Sequence, residues 1–422
     1  MRINLVFLSL LFLLVAGCAK LTLAWADLSG DGAGARPPAL AAFAGDPAIG
    51  DAEAWRARRA PLLKAALGEA VYGAFPSSAG ASILAIETLD RAALSGKATF
   101  EAWRLQGKAT FNGVENTSAP FVMNVLYPND AAEPAPVILI ESFCPRWDTM
   151  PHPKNPVPQD ARTCRDGFIA PVIRYVFGRY IATPPLEEIV DRGYAIATIY
   201  PDEFLPDDAM AGQAALRALS EGYIDEETRW GSIAGWAWAF SRMVDALETD
   251  DRFAADGQIV YGHSRYGKSA LLAAVHDPRI DGVIAHQSGT GGASLNRQKK
   301  GETVAQITEA FPHWFAQAYR GFAKATEAMD VDQHHLLALI APRPVLLGNA
   351  RRDVWSDPNG AFRAAQGADP VYELLGAEGL DQERLDEFKP EADIAFWIRP
   401  GTHGVVEEDW PAFLAFADAH FK

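Results

Sequence analysis

Two spacings of apolar residues alternate along this chain. From Ala52 to Tyr72, Trp55, Leu62, Leu63, Ala66, Leu67 and Val71 recur at helical intervals with charges between them. Residues 83–89, 98–106 and 121–127 instead alternate polar and apolar positions, which predicts strands of an antiparallel edge; Thr99, Glu101, Trp103 and Leu105 share one face. From Pro136 the strands change character. Residues 136–141 form an unbroken apolar run, as a strand covered on both faces requires, and 195–200, 259–261, 282–285, 344–348 and 395–399 repeat it. Between them, 187–192, 230–247, 269–275 and 409–421 read as helices; the 230–247 helix is amphipathic and carries Trp236, Trp238, Phe240, Met243 and Leu247.

Two stretches fit neither spacing. Residues 142–179 form a long loop rich in prolines and aromatics, and 293–322 is an excursion holding Phe311-Pro312-His313-Trp314-Phe315. Strands alternating with helices predict an α/β fold, a three-layer αβα sandwich with a mainly parallel central sheet. No internal repeat and no clean break follows residue 50, so 51–422 is expected to be one domain.

Composition narrows the function classes. The 422 residues are 49% hydrophobic and 22% charged, enough for a large core. The net charge of −16 argues against nucleic acid or anionic lipid held by charge. No phosphate-binding glycine loop, nicotinamide fingerprint or metal-ligand pattern stands out, so no cofactor and no metal are expected; the adjacent His334 and His335 would face apart on a helix or strand.

The N-terminus reads as a targeting segment. Arg2 precedes the apolar run Leu5–Val15, too short to span a bilayer, which ends Val15-Ala16-Gly17-Cys18. Such an ending resembles the lipobox of bacterial lipoproteins, with residues 1–17 as signal peptide and Cys18 as the lipidated first residue. The alternative is a plain secretory signal. Ala19 in place of an aspartate points to the outer membrane, on its periplasmic or surface side, with membrane contact through the lipid only. Residues 18–50, rich in Ala, Gly, Pro and Asp, read as a flexible tether. Of the three cysteines, Cys144 and Cys164 then remain; they form either one disulfide or two buried thiols.

Gly262-His263-Ser264-Arg265-Tyr266-Gly267-Lys268 lies between the 259–261 strand and the 269–275 helix. A serine between glycines at a strand-to-helix turn is the nucleophile elbow of α/β-hydrolases, although here the second glycine comes one place late. A serine needs a base and the base an orienting acid. His403 follows the last strand on a glycine-flanked loop. Asp353 follows the strand before it and is the preferred acid over Asp357, which Ser356-Asp357-Pro358 marks as a helix start. Arg265 and Lys268 stand within a turn of the serine. Trp314, Trp355, Trp147 and Tyr266 are candidate sugar-stacking rings, or core.

Taken together, residues 230–420 resemble the glucuronoyl esterases, carbohydrate esterase family fifteen. The likeness rests on Trp230-Gly-Ser-Ile-Ala-Gly-Trp-Ala-Trp238, Leu247-Glu-Thr-Asp250, Gly262–Lys268 with its late glycine, and Ser288-Gly-Thr-Gly-Gly292. It continues through Phe311–Phe315, Asp332-Gln-His334, Ala341-Pro-Arg-Pro344 and the His403 loop. The resemblance implies an α/β-hydrolase that cleaves esters between (4-O-methyl-)glucuronic acid branches of xylan and lignin alcohols. Ser264 would be nucleophile, His403 base, and the Arg265 side chain and N–H the oxyanion site. Lys268 and Trp314 would bind the sugar. Fungal members carry their acid where this chain has Gln287, which leaves Asp353 as acid and Gln287 as a possible sugar contact. Residues 141–180 depart from the family's usual loop. Other readings are an acetyl or other carboxylic esterase on plant polysaccharide and a non-catalytic carbohydrate-binding lipoprotein.

Overall fold

The computed structural model describes residues 25–30, 49–155, 157, 163–164 and 170–422. The signal peptide read over 1–17, Cys18 and most of the 18–50 tether lie outside these residues.

A ten-stranded sheet runs through the described chain in the order β1-β2-β4-β6-β5-β7-β8-β9-β10, with β3 paired to β2. Strands β1 (Ser78–Ala93), β2 (Ala98–Phe111), β3 (Val114–Thr117) and β4 (Phe121–Pro128) form the antiparallel edge. There β4 pairs antiparallel with β6 (Ala195–Ile199), and beyond it β5 (Ala135–Glu141), β7 (Phe253–His263), β8 (Gly282–His286), β9 (Val345–Ala350) and β10 (Ile394–Arg399) are all parallel. The short β3 has no counterpart in the sequence reading, and β7 begins six residues before the apolar run that marks it.

Period-2 alternation on the central strands feeds two cores. Val137 and Leu139 of β5 enter one, Ile138 and Ile140 the other; Val260 of β7 enters the first, Ile259 and Tyr261 the second. The larger core is covered by α1 (Ala60–Leu67), α3 (Ala209–Leu219), α4 (Ser232–Leu247), α5 (Arg265–His276), α6 (Gln333–Ala338) and α7 (Pro358–Leu374). The second is covered by α2 (Leu186–Asp191) and α8 (Asp409–Phe421). This is the three-layer arrangement expected.

Helix α4 corrects the amphipathic reading. It starts at Ser232, after its N-cap Gly231, and every residue but Asp245 is buried. The helix lies inside, between sheet and outer helices, and its one charged pair, Arg242 with Asp245 at 2.6 Å, is satisfied within the helix itself.

The tether reading is corrected over 25–30. Ala26 is buried; its N–H donates to the Arg351 carbonyl at 2.7 Å. Asn359 holds Asp27 through both amide ends, at 3.1 and 2.7 Å, and Ser29 bridges to Arg384. These contacts fasten the stretch to the loop after β9, the start of α7 and the segment before β10.

Candidate active site

The functional side chains gather where the parallel strands end, because every parallel strand delivers its following loop to the same edge of the sheet. Ser264 follows β7, Gln287 follows β8, Asp353 follows β9 and His403 follows β10.

Ser264 has φ 57° and ψ −122°, a conformation that costs a non-glycine residue about 1–3 kcal/mol. Its backbone is tied at both ends. The Ser264 N–H donates to the His286 carbonyl at 2.8 Å, and its carbonyl accepts from Gly267 and Lys268 at 3.0 and 3.3 Å. The late glycine has a steric cause. A Cβ on Gly262 would lie 1.9 Å from the Tyr266 carbonyl oxygen, and one on Gly267 would lie 2.9 Å from that of Gly262. The two glycines touch each other across the turn, so the second must sit at the end of the first helical turn.

Asp353 Oδ2 accepts from His403 Nδ1 at 2.7 Å and from the Ser356 hydroxyl at 2.6 Å. Burial pushes the Asp353 carboxyl up, but His403 and the Ser356 donors outweigh it and hold the group below the usual carboxylate value. With Nδ1 engaged, Nε2 is the ring nitrogen not committed to Asp353. The His403 ring lies 4.6 Å, centroid to centroid, from that of His263, the residue before Ser264. Asp357 does a different job: its side chain accepts from Gly360 N at 3.0 Å and caps α7.

His263, against the His403 ring, meets His286 Nδ1 to Nδ1 at 3.2 Å. Burial, then the neighbouring histidine and arginine charges, push both well below the ordinary imidazole value, so both are neutral near pH 7.

Arg265 reaches the Asp207 carboxylate through Nε at 2.9 Å, and its guanidinium lies 4.5 Å from the Phe143 ring centroid. Asp207 also accepts from His313 Nε2 at 2.9 Å and Trp314 Nε1 at 2.7 Å. Nothing in Leu205-Pro-Asp-Asp208 marks Asp207, since its partners come from distant segments. The Arg265 N–H is in the first turn of α5, where an N–H has no partner within the helix.

Three of the expected sugar contacts are placed differently. Trp314 is buried, stacked on Phe311 at 3.8 Å with its N–H donated to Asp207. Gln287 is buried with both amide ends engaged by the flanks of His403: Oε1 accepts from Gly404 N at 2.8 Å and Nε2 donates to the Thr402 carbonyl at 3.3 Å. Lys268 is buried too, and its ammonium donates to the Ser288 and Thr290 carbonyls. Burial lowers it to about 8.

The open surface near the pair belongs to Trp355, which is 53% exposed and two residues from Asp353. Its side chain hydrogen-bonds Glu302, whose carboxyl is raised by burial against the pull of Lys268 and Lys299. Tyr266 is core. The described residues contain no cluster of three or more potential metal ligands.

A family model described as "Glucuronyl esterase, fungi" matches residues 208–376, from α3 through α7. A carbohydrate esterase, MZ0003, from an unknown prokaryote is 41% identical over 239 residues, 56% of this chain and 55% of that protein. The 4-O-methyl-glucuronoyl methylesterase 1 of Wolfiporia cocos is 34% identical over 154 residues, 34% of this chain and 38% of that protein. The chain thus spans about half the length of the first of these curated relatives and less of the second. Among solved structures, a glucuronoyl esterase from Solibacter usitatus superposes with a TM-score of 0.76 at 31% identity, over 92% of this chain and 98% of that one. A promiscuous carbohydrate esterase family 15 enzyme from a marine bacterial metagenome superposes at 0.75 and 28% identity, over 94% and 100%. Matched by that family model and by a 31% identical glucuronoyl esterase structure over nearly its whole length, the chain belongs to the glucuronoyl esterase family, carbohydrate esterase family fifteen.

Proposed function

We propose that this protein is a serine esterase that hydrolyses (4-O-methyl-)glucuronoyl esters joining xylan branches to lignin alcohols. The observation that carries the reading is the Asp353–His403 pair at 2.7 Å beside the strained Ser264 elbow. His403 Nε2 takes the Ser264 proton as Oγ attacks the ester carbonyl. The oxyanion falls to Arg265, and the alcohol leaves with the proton from His403. Water then repeats the sequence on the acyl-serine, releasing the uronic acid. The exposed Trp355 ring offers an apolar face for a sugar. The substrate class is supported by the relatives' names.

Hydrolysis of a benzyl glucuronate ester, set against an aryl acetate, tests the reading. The wild type is expected to prefer the glucuronate, and Ser264→Ala to lower kcat by about 10⁴-fold or more. Turnover surviving in the alanine variant would remove Ser264 as nucleophile, and preference for acetate would favour a general acyl esterase.

We also propose that the protein is exported and held at the bacterial outer membrane by lipid on Cys18. The reading is supported by the Leu5–Val15 run ending at Cys18. A bridged Cys144–Cys164 pair also suits an oxidising compartment. A Cys18→Ser variant is expected to move from the membrane to the soluble fraction; unchanged partition would overturn the anchor.

A further inference from the structure

The peptide groups on either side of His403 are fastened by two buried side chains, Gln287 and Arg399. Gln287 takes both flanks, the Gly404 N–H and the Thr402 carbonyl. Arg399, the last residue of β10, takes the carbonyls: Nη1 donates to Pro400 at 2.9 Å and Thr402 at 3.3 Å, and Nη2 to Gly404 at 2.8 Å. Its remaining Nε binds Asp409 at 2.9 Å, with the two side chains only 3% and 0% exposed.

The loop needs such support. Gly401 and Gly404 have φ values of 100° and 152°, so the base sits between residues with little conformational preference of their own. A base displaced by about 1 Å can lose on the order of 10²-fold in rate.

We propose that Gln287 and Arg399 form a cradle that positions His403, with Gln287 as a positioning residue and not a sugar contact. The proposal rests on the esterase reading. An amide suits this place because the loop presents one donor and one acceptor to it. A carboxylate would satisfy Gly404 N–H but would set an acceptor against the Thr402 carbonyl, and alanine would satisfy neither. With the acid on Asp353, position 287 is free to hold a neutral group.

The test uses Gln287→Ala and Gln287→Glu in the full chain, assayed on the benzyl glucuronate ester. Gln287→Ala is expected to lower kcat at least tenfold with KM within twofold. The charged and titratable groups around His403 are Asp353, Glu302, His263, His286 and Arg399. A further carboxylate favours the imidazolium, so Gln287→Glu is expected to move the acid limb of the kcat profile to higher pH. Arg399→Lys is expected to show the same kcat-selective loss; where it fails to fold, Gln287→Ala decides. Unchanged kcat in Gln287→Ala, or a raised KM at constant kcat, would overturn the cradle, the second by making Gln287 a sugar contact. Amide hydrogen exchange over 400–405 reads the cradle without any activity. Faster exchange in Gln287→Ala is expected, and equal exchange overturns it even if the wild type proves inactive on the ester.

Discussion

Asp353 and Asp357 are four residues apart and carry the same carboxyl, yet one meets a histidine and the other caps a helix. Asp353→Asn is expected to lower kcat by about 10⁴-fold, because an amide cannot hold the same imidazole tautomer. Asp357→Asn is expected to keep activity, and loss of part of its cap would cost at most about 1 kcal/mol in urea unfolding. The pH dependence has a definite sign. Asp353 is held below its unfolded value, so its stabilisation is complete above the unfolded carboxylate value and is lost as pH falls through the folded one. The stability gap between wild type and Asp353→Asn, followed in urea at falling pH, is therefore expected to shrink below the unfolded value. Asp353 is legible in the sequence because it follows a marked strand, and Asp357 because Pro358 follows it. Asp207 is not: Asp208 beside it is an ordinary N-cap, and its own role exists only once Arg265, His313 and Trp314 are brought together.

At the scale of elements, the elbow is read from sequence better than the walls around it. A serine between glycines where a strand meets a helix is a local pattern, and Gly267 shows why its spacing is unusual. An alanine at Gly262 would press on backbone, not on a flexible side chain, so Gly262→Ala is expected to abolish soluble expression or activity, judged against Gly321→Ala, where nothing lies within 4 Å. The tryptophans are harder to assign, because a core ring and a sugar platform use the same residue at the same spacing. Exposure separates them. Trp355→Ala is expected to raise KM severalfold for the glucuronate ester with a small change in kcat. Trp314→Ala is expected to cost about 3–5 kcal/mol of stability, read as a fall in melting temperature.

Across the whole molecule, sheet order decides what the sequence cannot place. The alternating elements predict a parallel sheet, but the insertion of β6 between β4 and β5 belongs to topology alone. That order puts the loops after β7, β8, β9 and β10 side by side, which makes a site from residues as far apart as 264 and 403. At the end of β5 the Cys144–Cys164 bridge closes a loop of sequence separation 20. Its loss is expected to cost about 3 kcal/mol, measured by melting with and without reductant.

The docking of residues 25–30 has a practical consequence for anyone trimming the chain. Composition invites a cut anywhere before residue 50. A protein starting at Gly50 would leave the Arg351 carbonyl and both ends of the Asn359 amide without the partners they have in Ala26 and Asp27. Both positions border the loop that presents Asp353. A cut before Trp25 preserves these bonds; a cut after Gly30 removes a strap from behind the acid, and is the kind of truncation that would look harmless on a gel and show itself in turnover.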